Sequence, residues 1–368
     1  MKLLDRLRRK PKNYPPPPGP PNPRLLLPIP LPKVLPWHQP ALSEQGWSTV
    51  TFNSDPSSSI KDPLQESLQT LFEASKSFFA LPASYKSTFV TKSGSEEGWS
   101  GIPGEKEFIT LRTTTNCPPE LSSAVTAAWA QAGTLLNDML GSISCSLGLP
   151  PGSLTAYSEP CAQFGEEKTA TMLRLFRYEG HEEKVVAEPH CDLGLLSLVV
   201  GDSPGLEVWN RFTREFWAIE KSYHGGQGLK EVGSVLVGRQ LQKLSNGRYE
   251  AGAHRVRAYG SEPRQQERHS SDSTTSSQGP YRYSIVFVLR AHSPVPIDTD
   301  LLTTEITGPF ANPLKCTAGD LFAETKRKHY NINTGIKERE EQKKELKEKK
   351  ELQVSAEHPS PGGAESDV

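Results

Sequence analysis

His190, Cys191 and Asp192 set an imidazole and a carboxylate two positions apart at the head of an apolar run, EPHCDLGLLSLVV. If that run is a strand, alternation sends His190 and Asp192 to one face and Cys191 to the other, so both ligands can reach one ion. An octahedral iron(II) then needs one more protein ligand on the same face, which completes the two-histidine, one-carboxylate set and keeps three positions open. His254, in AGAHRVRAY, is the candidate, on an expected strand just after a hairpin turn over Ser245-Asn246-Gly247-Arg248. His224 beside a Gly-Gly pair, His269 in a serine-rich stretch and His292 past the last long apolar run are less well placed.

Arg282-Tyr283-Ser284 opens another apolar strand, YSIVFVL, and alternation puts Arg282 and Ser284 on one face. A guanidinium fork with a hydroxyl beside it grips a carboxylate in two-pronged fashion. Other chemistries find little support: His181-Glu182-Glu183-Lys184-Val185 lacks the second histidine of H-E-x-x-H, and neither a G-x-S-x-G elbow nor a P-loop is present.

These residues need a scaffold, and the chain is long enough to build one. With 368 residues, 35% hydrophobic and 23% charged, it can bury a core. After Lys168 the texture is strand-like, with MLRLFRY, LLSLVV, LEVW, EFWAI, SVLVG, HRVRAYG and YSIVFVL separated by turn residues and no helices, which predicts a barrel or sandwich. The N-terminal half reads as α/β. Trp47, Val50 and Phe52 alternate as in a strand, a helix opens at Asp62-Pro63 and stops at Leu81-Pro82, and a second runs from about Pro119 to Leu147. The expected organisation is a basic, proline-rich tail over residues 1–40, an α/β portion over 41–160, a catalytic β portion over 161–331 and a charged tail over 332–368. A polar, serine-rich insert at 260–280 and both tails are expected to be disordered, although the charge run of the second tail also suits a solvated helix.

A net charge of −1 and a pI near 6.8 give no field for nucleic acid or an anionic membrane. Five widely spaced cysteines without a C-x-x-C pair suit a reducing compartment, and the cytoplasm is the expected location. Leu3, Leu4 and Leu7 among basic residues also fit a short presequence. The prolines of residues 13–36 predict an extended spacer, of the kind proline-binding modules dock.

From about Gly46 to Asn331 the chain resembles the isopenicillin N synthase-like family of iron(II)/2-oxoglutarate dioxygenases. The resemblance is carried by FEASKSFFALPASYK and GWSGIPGEKEF, then by PHCDLGLLSLV, GLEVW, LQKLSNGRYEAGAHRV and RYS in the family's order. It implies a double-stranded β-helix, or jelly roll, in which His190, Asp192 and His254 hold Fe(II). It also implies that Arg282 and Ser284 bind the distal carboxylate of 2-oxoglutarate, assisted by Tyr178, and that O₂ is the co-reactant. The expected reaction oxidises a small organic metabolite by hydroxylation, desaturation or ring closure, releasing succinate and CO₂. An oxidase that does without 2-oxoglutarate, and a barrel serving only as a binding module, are the alternatives. Three positions depart from the family: Phe176 stands in place of an asparagine, Gly238-Arg239 in place of Gly-Asp, and the insert lengthens a usually short connection.

Overall fold

The computed structural model describes residues 25–51, 62–159, 163–224, 232–260 and 281–357. The strands are Trp47–Thr51 (β1), Gly98–Ile102 (β2), Lys106–Leu111 (β3), Met172–Glu179 (β4), Glu183–His190 (β5), Leu196–Gly201 (β6), Leu206–Asn210 (β7), Glu215–Trp217 (β8), Val232–Val237 (β9), His254–Tyr259 (β10), Tyr281–Leu289 (β11), Pro296–Asp298 (β12) and Lys315–Thr317 (β13). The helices are Gln39–Gln45 (α1), Pro63–Ala80 (α2), Ala83–Lys86 (α3), Pro119–Ser146 (α4), Gly152–Thr155 (α5), Ile219–His224 (α6), Arg239–Leu244 (α7), Ala318–Arg327 (α8) and Ile336–Glu357 (α9).

Two antiparallel sheets form the jelly roll, a larger one in the order β1-β9-β6-β11-β4-β3-β2 and a smaller one in the order β5-β10-β7-β8. Alternation along β11 divides its side chains between two cores. Ile285 and Phe287 join the core beneath the helices, while Val286 faces the barrel interior. The helical layer is α2 and α4, whose Leu71, Phe78, Leu121 and Leu136 are buried; Trp129 meets Phe287 edge-on at 5.1 Å. Both helices begin with proline at N1, where no backbone N–H is needed. Asp62 caps α2 by accepting from the Leu64 N–H.

Four expectations need correcting. Residues 25–40 are not a free tail, because Leu31 and Val34 are buried and the Leu27 N–H donates to the Ser146 carbonyl. Residues 332–357 are not disordered: α9 anchors itself through Arg339, which is only 1% exposed and ion-pairs with Glu105. Ser245-Asn246-Gly247-Arg248 is not a hairpin turn but follows the helix α7, which Asn246 and Gly247, at φ of 50° and 75°, end, with the Gly247 N–H donating to the Gln242 carbonyl. His190 closes β5, which the charged stretch EKVVAEPH concealed, and β6 begins only at Leu196, so His190 and Asp192 do not share a strand. The insert at 261–280, the first 24 residues and the tail beyond 357 lie outside the described residues.

Candidate active site

The smaller sheet supplies both imidazoles. His190, last in β5, is the antiparallel register partner of His254, first in β10, and their rings lie 4.2 Å apart between centroids. Asp192 reaches the same point from the loop after β5, with its Oδ1 3.9 Å from His190 Nε2. Ligating atoms of the three residues all lie within 4.8 Å of one another. Convergence thus comes from a strand end and the turn after it, and not from i, i+2 alternation.

Backbone groups aim each ligand. His190 Nδ1–H donates to the Glu188 carbonyl at 2.8 Å and His254 Nδ1–H to the Gly252 carbonyl at 3.0 Å, which leaves both Nε2 lone pairs for a metal. Burial, then the neighbouring His254, pushes His190 down to about 3, so it is the neutral imidazole that a metal requires. Burial alone would raise the Asp192 carboxyl, but His254 and His190 outweigh it and hold the carboxyl below its ordinary value. Its Oδ2 is buried and has no protein partner. An orphaned carboxylate oxygen beside two imidazoles with free Nε2 atoms fits an octahedral iron(II) held on one face.

The loop that carries Asp192 is pinned by the start of α7. Unpaired N–H groups of Gly238, Arg239 and Gln240 donate to the carbonyls of Leu195, Asp192 and Gly194 at 2.8–2.9 Å. Gly238 must be glycine, since a Cβ there would stand 2.1 Å from the Gly194 carbonyl oxygen. The grip uses only the Arg239 backbone, so exchange of the family's aspartate for arginine leaves the turn intact. The Arg239 guanidinium turns instead to Gln242 Oε1.

The larger sheet carries Arg282, Ser284 and Tyr178, the residues expected to hold a carboxylate. Arg282 and Tyr178 are register partners on β11 and β4, and Ser284 lies opposite Phe176. Burial pushes the Tyr178 phenol up to about 12, so it stays protonated as a donor. Arg282 occupies a built slot. Its Nε donates to the Ser203 carbonyl, its Nη2 pairs with Glu220 at 2.8 Å, and Gly201 and Gly205 leave it room, since a Cβ on either would lie within 2.4 Å of the guanidinium. Glu220 also accepts the N–H groups of Gly205 and Leu206. Nη1 remains buried without a partner. The two-pronged grip expected from Arg282 is therefore reduced to one nitrogen plus the two hydroxyls, because Glu220 holds the other. Glu220, in α6, escaped sequence reasoning because nothing in AIEKSYH marks a partner 62 positions away on β11. Phe176, in the asparagine's place, stacks on Tyr178 at 5.1 Å and so positions that ring by packing instead of by an amide.

Residues 169–291, which contain the three metal ligands together with Tyr178, Arg282 and Ser284, match the model of the 2OG-Fe(II) oxygenase superfamily. Solved structures agree on the fold. A putative 2OG-Fe(II) oxygenase family protein of Caulobacter crescentus is 19% identical, with a TM-score of 0.58 over 79% of this chain and 92% of that one. A full-length Neurospora crassa protein, solved in complex with alpha-KG and 5-formyluracil, is 18% identical, with a TM-score of 0.56 over 77% and 86%. The rice dioxygenase for auxin oxidation is 20% identical, with a TM-score of 0.54 over 78% and 86%. No curated protein matches the sequence. Over residues 169–291 the chain is thus similar to the 2OG-Fe(II) oxygenase superfamily, the solved structures share its fold, and the His190, Asp192 and His254 cluster could hold a metal ion.

Proposed function

We propose that this protein couples the conversion of 2-oxoglutarate and O₂ to succinate and CO₂ with the oxidation of a small organic molecule. For a hydroxylation, one oxygen atom of O₂ enters succinate and the other enters the product, R–H becoming R–OH; desaturation and ring closure release that second atom as water. The single observation that carries this reading is the pair of buried, unpartnered groups, Asp192 Oδ2 in the loop after β5 and Arg282 Nη1 on β11. One suits a metal and the other a carboxylate.

His190, Asp192 and His254 would hold the iron, which when bound with 2-oxoglutarate and O₂ supplies an oxidant strong enough for an unactivated C–H bond. Arg282 Nη1, Ser284 and Tyr178 would fix the distal carboxylate. The ring stack of Phe176 and Tyr178 keeps water from the side of that carboxylate. The Neurospora crassa protein bound to 5-formyluracil, and a JOX2 structure with 2OG, Fe and JA, make a small molecule the natural class of substrate.

Anaerobic reconstitution with Fe(II), followed by O₂ and a succinate assay across candidate small molecules, tests the reading. Succinate should form only with 2-oxoglutarate and iron present, and should rise with the true substrate. Substrate turnover that persists without 2-oxoglutarate would replace this reading with the oxidase alternative.

A further inference from the structure

His190 ends β5, and β5 is an edge of the smaller sheet, with β10 on one side of it. Its ladder is irregular at that end. His190 pairs with His254 and Ala187 with Val256, so three steps along β5 answer two along β10, and Glu188 and Pro189 fall in the bulge between. Pro189 has no N–H to give to a ladder. Yet the Glu188 carbonyl, at this bulge, is the group that accepts the His190 Nδ1–H and so aims Nε2. The other imidazole is fixed by backbone alone. Gly252, whose carbonyl aims His254, donates its N–H to the Val237 carbonyl and packs so closely on Gly46 that a Cβ would stand 2.2 Å from the Gly46 carbonyl oxygen.

The Glu188 side chain is held from the C-terminal segment. Its Oε2 lies 2.7 Å from Lys343 Nζ and accepts from the Tyr330 hydroxyl at 2.9 Å, while Oε1 lies 3.8 Å from Arg339 Nε. Arg339 and Lys343 stand one turn apart on α9, on the same face, and Arg339 roots that helix at Glu105. The Lys343 ammonium sits 5.0 Å from the Tyr330 ring centre and is shared with Glu340 of its own helix, 2.8 Å away. Polar groups do the docking. Ile336 is 56% exposed, and among the described residues of α9 Arg339 is the buried one.

Building on the metal site of the proposed function, we propose that residues 330–343 form a clasp that positions an iron ligand: Lys343 and Tyr330 hold the Glu188 bulge so that its carbonyl keeps His190 Nε2 turned to the metal. A single partly exposed ion pair contributes little. Here an ammonium, a hydroxyl and a guanidinium converge on one carboxylate whose strand is laddered on one side only. The coupling runs both ways, so a bound metal tightens the clasp by the same factor by which the clasp tightens the metal.

The test is titration of the full chain with Co(II), an air-stable stand-in for iron(II), followed by its visible absorption. The Lys343→Met/Tyr330→Phe double variant should bind Co(II) roughly three- to tenfold more weakly than the wild type, less than the roughly 10–100-fold that a direct outer-shell partner is worth. Tyr330→Phe alone should give a smaller loss in the same direction, and Lys343→Arg should keep wild-type affinity. Lys347→Met, at a position 79% exposed on the same helix, should change nothing. In a Glu188→Ala background the double change should shift affinity by less than about 1.5-fold, because the clasp has lost its handle. Co(II) should also slow hydrogen exchange of the α9 amides in the wild type and not in Glu188→Ala. Unchanged Co(II) affinity in the double variant overturns the clasp, even if that variant melts lower, since α9 is then a structural clip alone. An equal loss with and without Glu188 overturns it as well, by routing the effect elsewhere. A wild type that binds no Co(II) removes the metal site itself, and the functional reading with it.

Discussion

The two ends of the site are built by opposite means. The metal ligands are aimed by backbone carbonyls no more than two residues away, Glu188 for His190 and Gly252 for His254, with Asp192 held in a loop gripped by the first N–H groups of α7. The arginine is aimed by side chains and gaps distant in sequence: Glu220, Gly201, Gly205 and the Ser203 carbonyl. A short-range device tolerates side-chain exchange around it, as Arg239 shows. A long-range one depends on particular partners, and breaking it has graded effects on a single ligand.

The largest effect should come from the ligands themselves. Alanine at His190, Asp192 or His254 should abolish stoichiometric iron binding and cut turnover well beyond the roughly 10–100-fold that losing a supporting group costs. Metal analysis and succinate release are the measurements, and full activity in His254→Ala would dissolve the metal half of the comparison.

Next comes Arg282→Ala, which should raise the KM for 2-oxoglutarate by roughly 10–150-fold, equivalent to about 1.5–3 kcal/mol for a contact to a charged group, with iron content unchanged. Arg282→Lys should recover little, because an ammonium lacks the planar fork that gives Glu220 one nitrogen and leaves another aimed at a ligand. Recovery to wild-type KM would mean that the slot does not orient the guanidinium.

Glu220 sharpens the contrast further. Glu220→Ala strands a buried guanidinium, so it should lower stability by about 3 kcal/mol and raise the KM for 2-oxoglutarate several-fold with kcat less affected; Glu220→Gln should do less of both. A lower KM in Glu220→Gln would show that the carboxylate competes with the cosubstrate instead of positioning its anchor. The smallest effect is expected at Arg239. Since only its N–H grips the loop, Arg239→Ala should leave iron affinity within about twofold, whereas Gly238→Ala, which drives a Cβ into Gly194, should impair both iron binding and folding.

The residue types and their order were legible early: H-x-D, a distant histidine, R-x-S, and apolar runs separated by turns. Those are local patterns, and local patterns survive in one dimension because hydrophobic alternation and turn chemistry act over a few residues. Alternation along one strand is not what brings His190 and Asp192 together. EKVVAEPH is charged and carries Pro189, which masks its period and makes the loop between β5 and β6 look like the head of a strand. Both supposed tails misled for a related reason. Prolines around Leu31 and Val34, and the charge run around Arg339, look solvated until the partners that bury them are in place.

By itself the sequence determined which side chains were available, that the second half would be antiparallel sheet, and that a facial iron triad and a carboxylate anchor were within its means. Tertiary structure alone decided that Glu220 takes half of Arg282, that Phe176 replaces an amide by stacking, and that Lys343 of α9 reaches Glu188, two residues from His190. Charge pairing and burial depend on distances between residues tens to hundreds of positions apart, and only the closed barrel sets those distances.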